Sequence, residues 1–346
     1  MGFPYRLKRF IRTATIWHWI TIIACTLVVY RFFTPKAQKA IAVPENETEL
    51  NNEPDDGIDW SRFAYCQYVT DIEYLCNSLM MFESLHRLQS KADRLLLYPS
   101  QWELYPMKET WQSKFLHQAQ KDYGVHIMPV RVQHFDDGEG TWAESFTKLL
   151  AFKQTQYDRV LSLDSDATIL KPLDDLFLLP HAPVAAPHAY WIDNSSLSSA
   201  IMLIEPSMDE FKRVLGAMKN RTSDEFDMDI VNDLYAGNAM LLPNEHWVVS
   251  GEFRRKQHAS YIGEGNLWDP DAVMNQVKFV HFSDWPFPKP WLPSEPAERK
   301  AMWPKCIPKT DGSEDCRNRN YWMWLYEDFK KRRKAVCSSV FTLYLD

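Results

Sequence analysis

The chain has 346 residues, 45% of them hydrophobic and 14% aromatic, enough for a sizeable core in one large domain or two small ones. Its net charge of −7 argues against a general nucleic-acid binder. Its 6 cysteines are dispersed without a Cys-x-x-Cys, which argues against a structural zinc site.

Arg6, Lys8, Arg9 and Arg12 precede an apolar run over residues 14–30. At ~1.5 Å per residue, a helix of that length just spans a ~30 Å hydrocarbon core. Trp17, Trp19, Tyr30 and Arg31 sit where interfacial residues belong. The reading is a cytosolic tail over 1–13 and a signal anchor over 14–33. A cleaved signal peptide is the alternative, although the small-residue pattern Ala40-Ile41-Ala42 lies far beyond the apolar run. Arg31, Lys36 and Lys39 on the far side weaken the charge rule for orientation. A lumenal carboxyl-terminal side is favoured by the glycosylation triplets that begin at Asn46, Asn194 and Asn220. Residues 34–59 form an acidic stem, interrupted by Pro35, Pro44 and Pro54 and too poor in large apolar residues to fold alone.

From Trp60 the composition changes to that of a folded domain, 60–346, expected on the lumenal side. The patterning predicts strands over 63–70, 94–98, 125–132 and 160–163, alternating with helices over 72–88, 108–123 and 142–154. Such alternation predicts a mainly parallel α/β sheet with helices on both faces. The second half is less regular, with strands expected over 180–187, 201–205, 239–242 and 277–282 and helices over 208–218, 227–235 and 321–334. The basic run Lys330-Lys331-Arg332-Arg333-Lys334 reads as a solvated helix end rather than as a site for an acidic partner. Cys306 and Cys316, with Pro308 and Gly312 between them, are expected to be joined; two free thiols are the alternative. No internal repeat is visible.

The informative stretch is Leu161-Ser162-Leu163-Asp164-Ser165-Asp166-Ala167-Thr168-Ile169-Leu170. A short apolar strand leads into two carboxylates, and positions i and i+2 of extended chain share a side. Open α/β sheets place ligands at the carboxyl ends of their strands. Paired carboxylates there suit a hard divalent cation.

With Thr147-Lys148-Leu149 before it and Leu173-Asp174-Asp175-Leu176-Phe177 after it, this stretch resembles the core of glycogenin and its relatives in glycosyltransferase family 8. Residues 197–207, 227–232 and 281–291 resemble further ordered segments of that family. The resemblance runs over roughly 63–295 and looks most like the fungal Golgi N-acetylglucosaminyltransferases. It implies a GT-A-type nucleotide-sugar transferase fold and a Golgi, single-pass membrane location. It also implies transfer of N-acetylglucosamine from UDP-N-acetylglucosamine to a glycan acceptor, with Mn²⁺ or Mg²⁺ and retention of configuration. On that reading Asp164, Asp166 and His281 hold the metal. Lys148 and Lys289 meet the diphosphate, with Ser165 beside it. Tyr68, Val69 and Thr70 line the nucleotide pocket. Asp227 and Lys148 serve the sugar. Three departures stand out: Met228 replaces Gln, Asp229 replaces Gly, and the spacing from His281 to Lys289 is two residues longer than usual, without the family's Gly. Pro286, Pro288 and Pro290 should keep that segment extended, with Trp285 and Trp291 as buried anchors.

Two alternatives stand beside this. Leu161–Leu170 also fits the Asp-x-Asp-x-Thr signature of haloacid-dehalogenase-type phosphatases, with Asp164 as nucleophile and Asp166 as general acid/base. The same fold could also serve as a non-catalytic nucleotide-sugar-binding protein.

Overall fold

The structure is a computed structural model that describes residues 57–102, 110–133, 144–193 and 195–341. The expected tail, anchor and stem, and the triplet positions Asn46 and Asn194, lie outside the described residues. No helix among the described residues is long and apolar enough to cross a membrane.

The first half carries strands β1 (Phe63–Tyr68), β2 (Asp93–Pro99), β3 (Val125–Val130), β4 (Arg159–Leu163) and β5 (Ala167–Ile169). Then come β6 (Val184–Pro187), β7 (Ile201–Ile204), β8 (Met240–Leu242), β9 (Trp247–Val249) and β10 (Phe279–His281), and a short pair, β11 (Ile307–Pro308) and β12 (Glu314–Asp315). The longer helices are α1 (Ile72–Arg87), α2 (Trp111–Tyr123), α3 (Met208–Asn220), α4 (Asp227–Tyr235) and α5 (Arg317–Phe341).

A 7-stranded sheet runs in the order β3-β2-β1-β4-β7-β6-β8. Neighbours are parallel except around β7, which is antiparallel to both β4 and β6. β4 is buried along its whole length because it is central. Side chains alternate between two cores, as the pleat requires. Tyr65, Leu96, Leu161 and Leu163 enter the core that also holds α1, α2 and α5. Ala64, Cys66, Leu95, Leu97 and Val160 enter the core shared with α3 and α4.

The helix ends follow local chemistry. Asp71, Thr110 and Ser207 each accept a backbone N–H at the start of α1, α2 and α3. Gly124 ends α2 at φ +63, a conformation only glycine adopts at no cost. The helix expected over 142–154 is instead a 3-10 helix, Ser145–Lys153. It starts without a side-chain cap and is buried from Phe146 to Phe152, so packing rather than a helical stripe sets its pitch.

The basic run is not a solvated helix end. Arg332 donates to Ser84 Oγ at 3.0 Å and to Thr168 Oγ1. Arg333 donates to Asn77 Oδ1 at 3.1 Å. The run therefore sews α5 onto α1 and β5. A disulfide that was not foreseen, Cys76–Cys337, closes the same seam across 261 residues. Cys306 and Cys316 are also bonded, across the β11–β12 hairpin. A bridge closing so long a loop as Cys76–Cys337 should stabilise by roughly 2–5 kcal/mol. Cys337→Ser is therefore expected to lower the urea midpoint markedly. An unchanged midpoint in non-reducing buffer would reject that weight for the bridge.

Candidate active site

The turn between β4 and β5 is pinned at both ends. The Leu163 carbonyl accepts Gln67 Nε2 at 2.8 Å, and Gln67 Oε1 accepts the Ser78 hydroxyl at 3.1 Å. Asp164 N–H donates to the Ala200 carbonyl at 2.9 Å, and the Asp166 carbonyl accepts Phe282 N–H at 2.9 Å. β5 leaves the main sheet to pair antiparallel with β10, with Ala167 opposite His281. That register sets Asp166 beside His281. The two carboxylates meet because the chain bends between two sheets, not because it stays extended.

The ionisable groups form a chain of mostly alternating charge. Lys148 Nζ lies 2.9 Å from Asp227 Oδ2 and 2.7 Å from Asp164 Oδ1. The other oxygen of Asp164 is 3.9 Å from His281 Nε2, and Asp166 Oδ1 is 3.1 Å from that nitrogen. Asp166 Oδ2 is 2.7 Å from Lys289 Nζ. Ser199 Oγ donates to Asp227 Oδ2 at 2.7 Å. Lys148 is only 4% exposed. Burial works against its charge, but Asp164 and Asp227 outweigh burial and raise its pKa well above the usual lysine value. Burial likewise opposes ionisation of Asp227, yet Lys148, Ser145 and Ser199 hold its pKa below the ordinary carboxylate value. For Asp166 burial is again outweighed, by His281 and Lys289, and its pKa falls well below normal. Burial and the like charge of Asp166 raise that of Asp164, although Lys148 opposes them.

Donor atoms of Asp164, Asp166 and His281 lie within 4.8 Å of one another. Ligands at ~2.1 Å from one ion stand at most about 4.2 Å apart, so a small closing would complete the set. Two carboxylates and an imidazole nitrogen are a donor set that fits Mn²⁺ or Mg²⁺. Among the described residues, buried His281 Nδ1 has no hydrogen-bond partner of the kind that usually orients a ligating histidine. The other such grouping among the described residues, Cys306, Glu314 and Cys316, contains the disulfide and offers no thiolate.

Of the expected nucleotide-pocket residues, Tyr68 is half-buried with Lys148 Nζ 5.9 Å from its ring centre, and Thr70 is half-buried too. Val69 is 0% exposed and its N–H donates to the Leu97 carbonyl, so it offers no side-chain surface to a base. Ser165 is buried in the turn. Asp227 is the first residue of α4 and also pairs with Lys148. Asp229 accepts Phe226 N–H at 2.8 Å, which accounts for a carboxylate there as a helix cap. Asn232 clamps the backbone of Leu197, accepting its N–H at 2.7 Å and donating to its carbonyl at 3.0 Å. Met228 is half-buried, and Asn220 is exposed at the end of α3.

The segment after His281 departs from expectation. Trp291 packs on Tyr74 and Phe329. Trp285, expected as an anchor, is 89% exposed. The residue that anchors this segment is Asp284, missed in the sequence because a carboxylate among prolines reads as solvent-facing. It is buried and accepts Trp322 Nε1 at 3.1 Å, Tyr326 OH at 2.9 Å, Arg254 at 3.2 Å and the Ser250 hydroxyl. Gly251 lies against it, where a Cβ would stand 2.5 Å from the Ser283 carbonyl.

No family model matches the chain. It is 48% identical, over 82% of its length, to a protein of Gibberella zeae named glucose N-acetyltransferase 1, of which it spans 64%. It is 38% identical, over 98% of its length, to a protein of the same name from Aspergillus fumigatus, of which it spans 91%. Among solved structures, the galactosyltransferase LgtC, in complex with donor and acceptor sugar analogues, superposes with a TM-score of 0.52 at 13% identity. That likeness covers 79% of this chain and 95% of LgtC. The fold is thus that of a GT-A-like glycosyltransferase, with a mainly parallel α/β sheet. The phosphatase alternative does not survive that fold.

Proposed function

Because the chain belongs to the family of fungal proteins named glucose N-acetyltransferase 1, we propose that it is a metal-dependent retaining glycosyltransferase moving N-acetylglucosamine from UDP-N-acetylglucosamine to a glycan acceptor. The observation that carries the reading is the convergence of Asp164, Asp166 and His281 at the end of the central strand, flanked by Lys148 and Lys289. A divalent cation, when bound there, would act as a Lewis acid on the charge of the leaving diphosphate. Lys289 puts an ammonium at the same place, as a further donor to phosphate oxygens. Lys148 joins the carboxylate of Asp164 to that of Asp227, so movement at one is felt at the other. On this reading Asp227, kept ionised, would accept a sugar hydroxyl or stabilise positive charge on the anomeric carbon. Ser199 fixes the orientation of its carboxylate. We further propose a Golgi membrane location with the catalytic unit in the lumen; disulfides form in oxidising compartments, and two are present.

The test is hydrolysis of a panel of UDP-sugars with and without Mn²⁺, which needs no acceptor. UDP-N-acetylglucosamine should be cleaved fastest, and chelator should stop it. The relatives' name, read literally, describes acetyl transfer. Acetylation of an amino sugar from acetyl-coenzyme A, with no UDP-sugar cleaved, would overturn the proposal.

Lys289→Ala should lower turnover more than donor affinity, because diphosphate charge grows as the glycosidic bond breaks. About tenfold or more in kcat is expected, against a few-fold in donor Kd. The exposed Lys305→Ala is the control. Equal, near-wild-type behaviour of both variants would remove the diphosphate role.

A further inference from the structure

The longer spacing between His281 and Lys289 builds a closed loop with both feet on Asp166. At one foot Phe282 N–H donates to the Asp166 carbonyl at 2.9 Å. At the other, Lys289 Nζ lies 2.7 Å from Asp166 Oδ2 and also bonds the Phe282 carbonyl. Between the feet the backbone is held on each side of Trp285. Asp284 is buried among its donors, and Phe287 donates its N–H to the Asp284 carbonyl at 2.9 Å and packs on Trp322 and Tyr326. Trp285 turns out from this anchored frame, 89% exposed, with the exposed Pro286 beside it.

A ring this large, left in water on a fixed backbone, adds nothing to the core that holds it. It loses little conformational freedom on meeting a ligand, because its backbone is already set. It stands three residues from Phe282 and four from Lys289, so its Cα lies within about 14 Å of either foot. That is within reach of a short oligosaccharide whose end is at the reaction centre. Protein-docking patches cover several hundred Å². Here Asp284 and Phe287 are buried, only Trp285 and Pro286 between them are exposed, and the indole matches the C–H face of a single pyranose.

We infer that Trp285 is a stacking platform for a pyranose ring of the acceptor glycan, so that this loop sets acceptor preference. The inference rests on the transferase reading above. The test compares the full-length protein with Trp285→Ala and Trp285→Phe in two assays. The first is hydrolysis of UDP-N-acetylglucosamine alone. The second is transfer to mono-, di- and trisaccharides of glucose, galactose and mannose and to a neutral cell-wall glycan extract. In Trp285→Ala, donor hydrolysis should stay within about twofold, while the acceptor KM rises about five- to tenfold, the scale of one lost aromatic contact. The rise should be larger for trisaccharides than for monosaccharides, and Phe should recover most of it. Unchanged acceptor kinetics in Trp285→Ala would overturn the inference, and if binding to phosphatidylcholine vesicles fell instead, the ring would be a membrane contact. Equal loss of hydrolysis and transfer would also overturn it, as would wild-type hydrolysis without transfer to any of these glycans. Failure of the wild type even to hydrolyse a UDP-sugar would instead remove the functional reading, and this inference with it.

Discussion

Asp166→Asn is expected to lower both transfer and donor hydrolysis by about a thousandfold or more, while the circular dichroism spectrum stays that of the wild type. The substitution removes charge and almost no volume, so packing around β5 and β10 survives. What is lost is a carboxylate that holds two things at once: Oδ1 faces His281 and Oδ2 faces Lys289. On the proposed metal reading the substitution takes away one of three ligands, and the Lewis-acid contribution at stake would be several kcal/mol, which corresponds to about a thousandfold in rate. The linkage has a definite sign. Asp166 has its folded pKa lowered, so its contribution to stability is present above the unfolded carboxylate pKa and disappears as pH falls through the folded value. The variant should therefore be less stable than wild type at neutral pH, and the difference should close in strong acid. Mn²⁺ titration calorimetry beside the turnover assay decides the matter. Wild-type Mn²⁺ affinity in the variant, or full wild-type turnover in chelator, would sink the metal role of Asp164, Asp166 and His281 together.

Lys148→Met should be the most destabilising single change at the site, by about 3–5 kcal/mol, and should abolish turnover. The lysine is almost fully buried between Asp164 and Asp227, and its loss strands the buried carboxylate of Asp227 and the half-buried one of Asp164 without their shared counter-ion. The cost should be greatest at neutral pH, where both carboxylates must ionise. It should shrink as pH falls, because carboxylates that have lost their cation titrate higher and become neutral sooner. Adding Asp227→Asn should recover part of the lost stability, since one stranded charge goes with it, but none of the activity. Urea unfolding of wild type, both single variants and the double variant gives the coupling energy. A loss under about 1 kcal/mol for Lys148→Met, or no coupling with Asp227, would mean that water rather than lysine satisfies these carboxylates.

Local patterning was enough for the elements whose cause is local. Strands β1 to β4 and helices α1 and α2 were legible because apolar spacing acts within a few residues of where it stands. Asp164 and Asp166 were legible as a pair, because a buried strand running into two carboxylates is itself a local pattern. Asp227, Lys148, His281 and Lys289 were legible only through resemblance, since no local rule brings them together. Tertiary structure decided their meeting. β7 enters antiparallel beside β4 and carries Ser199 toward Asp227. β5 leaves the main sheet for β10 and so sets Asp166 against His281. The same long-range packing turned Arg332 and Arg333 inward, joined Cys76 to Cys337, buried Asp284 and left Trp285 in water. Hydrophobic periodicity says which residues a strand or helix buries, but not which distant element it is buried against. That partner is what gives a buried charge its counter-ion and leaves an exposed ring free for a ligand.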